Sequence, residues 1–410
     1  MTASAGNPVT VHGPDPAAPG PRRARLAGGA GWMPLIPALV TLAVTLYQIQ
    51  RPSLWRDEGA TLAAVNRSLP QMLRMLGHTD VVHGAYYVLM WFETRAAGTS
   101  VLALRFPSVV GMAVAAGFVA ALGRRLVSVR AGLAAGLVFA ALPSVTWYAQ
   151  NARSYALVTA LATIASYLLV RSVTAAPGRR RRWLAGYGAT VLLVTVAALA
   201  ICALRGRLAA DLPSRLLALS LPWLLLPPAV LLAASAVHPV YSLRYIVFCA
   251  PAAALLAGAG LASLGWAGGA AGLALIVLVA LPGQAEDRRV GSHSEDLRQL
   301  SRLVATHSRP GDALLFPRLT DREFEAAYPA PYRPLRDVTL AQTPTQSATL
   351  LGTPATAQLI RHRLATVDRL WVVETGTERG NVPLLTGLGF QPSHRWTVTG
   401  IWLVLYTRPS

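Results

Sequence analysis

The segment SLWRDEGATL, residues 53–62, sets two carboxylates, Asp57 and Glu58, side by side a few residues beyond the first long apolar run. Acidic residues are scarce in this chain. There are 18 Asp and Glu against 37 basic residues, all of them Arg, for a net charge of +19. An acidic pair at the edge of an apolar run therefore calls for a reason, and the runs around it set the fold class.

The 410 residues are 53% hydrophobic and only 13% charged, whereas soluble domains carry about 25% charged residues. Several apolar stretches of 17 to 22 residues are long enough to span a hydrocarbon core. The pattern predicts a polytopic α-helical membrane protein. The Arg clusters flank the apolar runs, which fits membrane topology rather than nucleic-acid binding. Cys202 and Cys249 both sit inside apolar runs, so no disulfide framework or Cys-rich metal site is readable.

Residues 1–30 are rich in Pro, Gly and Ala and read as a disordered cytoplasmic N-terminus. "PRRAR" at 21–25 precedes the first span, read as an uncleaved anchor from Trp32 to Gln48. A multi-span domain is expected over 31–285, with an outer loop at 51–98. Inside that loop, "HGAYYVLMWFETRAAG" (83–98) reads as an interfacial amphipathic helix with aromatic residues at headgroup depth. Further spans are expected at Phe106–Leu122, Ala131–Trp147, Ala156–Val170, 184–204, 216–237, 246–264 and 266–282. "GRRLVSVR" (123–130) and "GRRRRW" (178–183) read as cytoplasmic by the positive-inside rule. The acidic loop and "WYAQNARSYAL" (147–157) then face outward.

From Glu286 the composition changes. "GDALLF" (311–316), "RLWVVE" (369–374) and "GIWLVLY" (400–406) read as strands. "SEDLRQLSRLVATH" (294–307) reads as an amphipathic helix, so 286–410 is expected to be a small soluble α/β domain. Counting eight spans puts this domain and "HPVYSLRY" (238–245) on the cytoplasmic side, away from the acidic loop. A re-entrant segment around "RGRLAADLPSRLL" (205–217) would reverse that parity. The expectation adopted is that the domain lies on the acidic loop's side, because only there can it shield the loop or present a substrate to it.

Five short motifs, taken in order, resemble the GT-C superfamily of membrane glycosyltransferases, in the protein O-mannosyltransferase and aminoarabinose-transferase branch. They are "WRDEGA" (55–60), "HGAYYVLMW" (83–91), "RFPSVVG" (105–111), "YAQNARSY" (148–155) and "LRYIVF" (243–248). The resemblance covers roughly residues 32–172 and 222–282. Gly84 and Ala85 stand where the family has prolines, Asn151 stands where it has an acidic residue, and the middle, 184–222, is short.

The resemblance implies transfer of a sugar, mannose or another hexose or pentose, from a polyprenyl-phosphate donor to a protein, glycan or lipid acceptor, with inversion. Nucleic acid is not an expected partner; the membrane is. Asp57 would be the base that takes the acceptor hydroxyl's proton. Glu58 would orient the acceptor or help hold a divalent metal, for which Asp57, Glu58, Asp80 and His83 are the candidate ligands. No other cofactor is implied. The leaving phosphate needs cations, and the planar guanidinium binds phosphate oxygens in pairs. Arg56, Arg105, Arg153 and Arg244 are the candidates, with His83, Tyr86, Tyr155 and Tyr245 beside the phosphate, sugar or lipid.

Each of these residues also has a plainer reading. The carboxylates could pair with Arg51, Arg56 or Arg67 in a solvated loop. An Arg at a span end commonly snorkels or sets topology. A transporter would place ionisable residues near mid-membrane and show a repeat, whereas here the charges cluster at span ends. A non-catalytic homologue is the other alternative.

Overall fold

The computed structural model describes residues 31–174, 212–236, 242–375 and 382–408. The N-terminal tail, the expected span at 184–204 and the "GRRRRW" cluster lie outside the described residues.

The helices begin with α1 (Leu35–Leu46), followed by α2 (Arg56–Val65), α3 (Leu69–Leu76) and α4 (Gly84–Ala97). Next come α5 (Val101–Leu126), α6 (Val129–Ala141), α7 (Pro143–Ala149) and α8 (Tyr155–Val173). After these are α9 (Leu212–Ser235), α10 (Ala250–Ser263) and α11 (Gly265–Asp287). Among the described residues, four helices are long and apolar enough to cross a membrane, five if the bent pair α6–α7 is one span. The bend is 63° and falls where Pro143 removes a backbone N–H from the helix ladder. The predicted first span is shorter than expected: α1 has 12 residues, and the chain leaves helix at Tyr47 and passes through Gln48 at φ 58.

The helices pack through small residues, as membrane helices do when lipid and side chain are equally apolar. A Cβ on Gly132 would lie 2.3 Å from the Ala120 carbonyl of α5, and one on Gly258 of α10 would lie 2.4 Å from the Ala135 amide of α6. Neither site has room for a side chain.

The C-terminal part begins with α12 (Leu297–His307), capped by Asp296. It continues through β1 (Ala313–Leu315), α13 (Glu323–Ala327), β2 (Arg336–Asp337), β3 (Leu340–Gln342) and β4 (Thr353–Pro354). Then come α14 (Ala357–Leu364), β5 (Arg369–Thr375), α15 (Val382–Gly387), β6 (Gln391–Val398) and β7 (Ile401–Thr407). The main sheet runs β2-β1-β5-β7-β6, with β1 parallel to both neighbours and β7 antiparallel to β5 and β6. The three predicted strands and the amphipathic helix are present.

The acidic loop and the sheet share one core. Leu62, Val65, Met72, Met75, Tyr87 and Met90 belong to the same buried cluster as Leu300, Val304, Phe316, Phe324 and Trp371. Hydrogen bonds stitch the join. Leu54 N–H donates to the Tyr328 hydroxyl at 3.0 Å, and Arg67 Nη2 donates to the carbonyls of Thr349 and Leu350 at 2.6 and 2.9 Å.

This contact corrects the eight-span parity. The sheet domain and the acidic loop lie at the same end of the helices. Thr174 receives a hydrogen bond from Arg125, at the opposite end. Arg244 is back at the acidic end, against Asp57.

Candidate active site

Asp57 and Glu58 occupy the first turn of α2, where the positive end of the helix dipole favours carboxylates. Neighbours on a helix point about 100° apart, and here that separation assigns them different surroundings. Glu58 points inward and is fully buried. Its oxygens accept from Arg105 Nε at 2.8 Å and Nη2 at 2.7 Å, and from the Ala152 amide at 3.0 Å. Arg105 also donates to the carbonyls of Ile49, Pro52 and Ser53. All five guanidinium N–H groups are thereby engaged. Arg105 is expected from its sequence to bind phosphate. The structure corrects this: it is a buried structural counter-ion that ties α2, α5 and the end of α1 together.

Asp57 faces the other way, at the boundary between the membrane helices and the sheet domain. Arg244 Nη1 lies 3.2 Å from Asp57 Oδ2, and Arg153 Nε lies 3.9 Å from the same oxygen. Arg153 comes from the turn between α7 and α8. Arg244 comes from a short 3-10 turn, Leu243–Tyr245, and Tyr245 beside it is about half exposed. Burial opposes the charge on Arg244, but Tyr155 and Asp57 more than offset it and raise its pKa. Tyr155 stacks edge-on against Tyr148 at 5.4 Å.

Arg153 is held on its far side as well. Nη1 donates to the Tyr87 hydroxyl at 3.2 Å and Nη2 meets His83 Nε2 at 3.0 Å. The Tyr87 hydroxyl donates in turn to Asp80 Oδ2 at 2.5 Å. Asp80 has φ 60, in the left-handed region that non-glycine residues seldom occupy. That backbone turn aims its carboxylate back at Tyr87 and His83, whose Nε2 lies 3.8 Å from Asp80 Oδ1. Burial, and next the Arg153 charge, hold His83 below the ordinary histidine pKa, against the opposing pull of Asp80 and Asp57. Tyr86 is buried beside Tyr87, with Glu58, Arg153 and Ser108 near its hydroxyl.

Arg56 is turned toward the sheet domain. Its Nε donates to Glu295 at 2.7 Å and its guanidinium lies over the Phe324 ring at 5.2 Å. Glu323 is also close. Burial, eased in part by Arg56 and reinforced by Asp57, pushes its pKa up to about 8.

The candidate metal ligands do not come together. Both Glu58 oxygens are bound to Arg105, and His83 Nε2 faces Arg153. Among the described residues no three His, Cys, Asp or Glu side chains gather to hold a metal ion. The set proposed from sequence does not fit a divalent cation. Sequence reasoning did bring Asp57, Arg153, Tyr155, His83 and Arg244 together. It missed Tyr87 as a polar partner, and it missed Glu295 and Glu323 entirely.

No protein-family model matches this chain, and no curated protein matches it. Among solved structures it is similar to ArnT from Cupriavidus metallidurans in the apo state, with a TM-score of 0.54 and 13% identity over 92% of this chain and 98% of that one. It is equally similar to ArnT from the same organism bound to undecaprenyl phosphate, with a TM-score of 0.55, 12% identity and the same coverage. Identity this low speaks for the fold alone: this chain has a fold like that of those two structures.

Proposed function

We propose that this protein is an integral-membrane glycosyltransferase that moves a sugar from a polyprenyl phosphate to an acceptor hydroxyl at the acidic end of its helices. The observation that carries the reading is one carboxylate, Asp57, set against two arginines drawn from distant parts of the chain. The fold's likeness to a protein solved with undecaprenyl phosphate supports a lipid-phosphate donor.

The chemistry follows from the groups present. The donor is a phosphate diester in which one ester oxygen joins the anomeric carbon. The acceptor oxygen attacks that carbon as its proton passes to Asp57. The bond from the anomeric carbon to the phosphate oxygen breaks, and polyprenyl phosphate leaves as a monoester. Negative charge grows on the phosphate as it departs. Arg153 and Arg244 are placed to meet it, in a setting where fixed cations need no rearrangement. A single displacement inverts the anomeric carbon. The sugar is a hexose such as mannose, or a pentose; the acceptor is a protein, glycan or lipid. "GRRLVSVR" at the far end of the helices supports, by the positive-inside rule, a site on the extracytoplasmic face of the plasma membrane.

Asp57→Asn in protein reconstituted with a polyprenyl-phosphate sugar tests the assignment. The change keeps the shape and removes the basic oxygen, so transfer should fall by at least about a hundredfold with membrane insertion intact. Transfer within a few-fold of wild type would remove Asp57 from the role of base. Mass spectrometry of cell-envelope glycans in a deletion strain identifies the sugar by the residue that goes missing.

A further inference from the structure

The geometry points to Glu295 as the residue that positions Asp57, which makes the C-terminal domain a working part of the active site and not only its cover. The inference rests on the reading of Asp57 as the base.

Helix α2 starts without a cap of its own. Its N-cap residue, Trp55, is extended and makes no side-chain capping bond. The first N–H groups of a helix need acceptors from elsewhere. Glu295, 239 residues later in the chain, provides one: its Oε2 accepts the Arg56 amide at 3.3 Å. Its Oε1 accepts Arg56 Nε at 2.7 Å, with Arg56 Nη2 at 2.6 Å. One carboxylate thus holds both the backbone and the side chain of Arg56, the residue just before Asp57. The pair is mostly shielded, with Glu295 only 12% exposed, so it is less screened than a surface ion pair.

Glu295 is itself anchored. Ser294 before it has φ 65, and Asp296 after it caps α12 through the Gln299 amide at 3.0 Å. One turn on, the Arg298 amide donates to Ser53 Oγ at 2.9 Å, fixing α12 to the strand of chain that enters α2. Helix α2 is also packed against α13. A Cβ on Gly59 would lie 2.1 Å from the Glu323 carbonyl oxygen. The helix that carries Asp57 is therefore seated in a socket built by residues 295–324.

Arg153 and Arg244 are anchored elsewhere, on the turn after α7 and on the 3-10 turn before α10. The distance from Asp57 to its two arginines is set where two separately anchored structures meet. A misplacement of about 1 Å can cost a hundredfold in rate. The bonds of Glu295 go to Arg56, next to Asp57, so it acts through Asp57.

The test is steady-state kinetics of the full-length protein in proteoliposomes, comparing wild type, Glu295→Gln and Glu295→Asp with a polyprenyl-phosphate sugar. Glu295→Gln should lower kcat about tenfold or more while the donor KM stays within about twofold, because a change confined to the transition state appears in kcat. Glu295→Asp restores the charge on a shorter arm and should recover part of the lost kcat. An unchanged kcat in Glu295→Gln overturns the inference, as does a rise in donor KM with kcat intact. If Glu295→Gln does not insert stably, the Asp variant alone decides, by the same split. A wild-type protein that transfers no sugar takes down the reading of Asp57 and this inference with it, whereas an active wild type with an indifferent Glu295 overturns this inference alone.

Discussion

Arg153 Nη2 and His83 Nε2 lie 3.0 Å apart, and because a guanidinium can only donate, the histidine nitrogen is the acceptor. His83 therefore orients Arg153 only while it is neutral. Its pKa is held below the usual histidine value of 6.5, mainly by burial and then by Arg153 itself. At neutral pH the acceptor is intact. As pH falls through the lowered pKa, the nitrogen gains a proton, the bond to Arg153 is lost and a second cation appears beside it. Donor KM should be flat near pH 7 and should rise on acidification, measured from about pH 7.5 to about pH 5. His83→Gln supplies an amide oxygen that does not titrate in this range, and should remove that acid limb. A limb that survives in the Gln variant belongs to another group.

Arg153→Lys should weaken donor use by about tenfold or more, the scale of lost charge-assisted hydrogen bonds. Arg153 uses two separate nitrogens, toward Tyr87 and His83, and presents a third toward Asp57. A lysine keeps the charge but has one nitrogen. Tyr87→Phe, which deletes the hydroxyl between Arg153 and Asp80, should shift KM in the same direction by less. Equal donor KM values in wild type and Arg153→Lys would separate Arg153 from the phosphate.

The Glu58–Arg105 pair is fully buried, so removing one partner leaves the other charge without compensation. Arg105→Met should destabilise the protein by about 3–5 kcal/mol, read as a lower unfolding temperature in detergent. Glu58→Gln should lower the yield of folded protein while turnover per folded molecule falls far less than in Asp57→Asn. A Glu58→Gln protein that is stable but inactive would return Glu58 to the chemistry.

His293 links α11 to the sheet domain and is gripped between Trp55 and Trp147, with ring centroids at 5.0 and 4.2 Å. Burial, with the Arg105 charge as a second cause, pushes its pKa down to about 3. The folded protein keeps it neutral, while the unfolded chain takes up a proton near pH 6.5. Its share of stability is thus full above pH 6.5 and declines as pH falls from there toward about 3. The slope for one such group is at most about 1.4 kcal/mol per pH unit. His293→Phe keeps a ring in the sandwich and should flatten that part of the pH–melting curve. An unchanged slope would show that other groups carry it.

The sheet domain and the acidic loop should label from the same side of the membrane. With Cys202 and Cys249 changed to Ala, single cysteines at Ser68 and Thr343 should react equally with a membrane-impermeant thiol reagent on intact cells. A cysteine at Val129, at the far end of the helices, should react only after lysis. Labelling of Thr343→Cys only after lysis would contradict the packing of the domain on the loop.

What was legible in the sequence followed local pattern. Apolar length announced the membrane helices, alternation and apolar runs announced β1, β5 and β7, and five short motifs gathered most of the site. The rest depended on partners far away in the chain. Arg105 looks like any arginine at a span entrance until Glu58 and three carbonyls are seen around it. Glu295 sits in a stretch that reads only as the start of an amphipathic helix, and nothing local ties it to Arg56. Strand β6 escaped notice because Gln391–Arg395 are exposed and, apart from Pro392, polar. The side of the sheet domain could not be counted from hydropathy, because it is fixed by contacts between the acidic loop and residues much later in the chain.

The core shared by the acidic loop and the sheet orders the protein's birth. The loop is made early, but Met72, Met75, Tyr87 and Met90 share their core with Leu300, Phe316 and Trp371, which are made much later. Until then the loop holds apolar residues with only part of their cover. Long-range closure of this kind is slow and leaves exposed surface while it waits. A ribosome that stops before the sheet is complete therefore leaves behind a protein whose acidic helix lacks its seat.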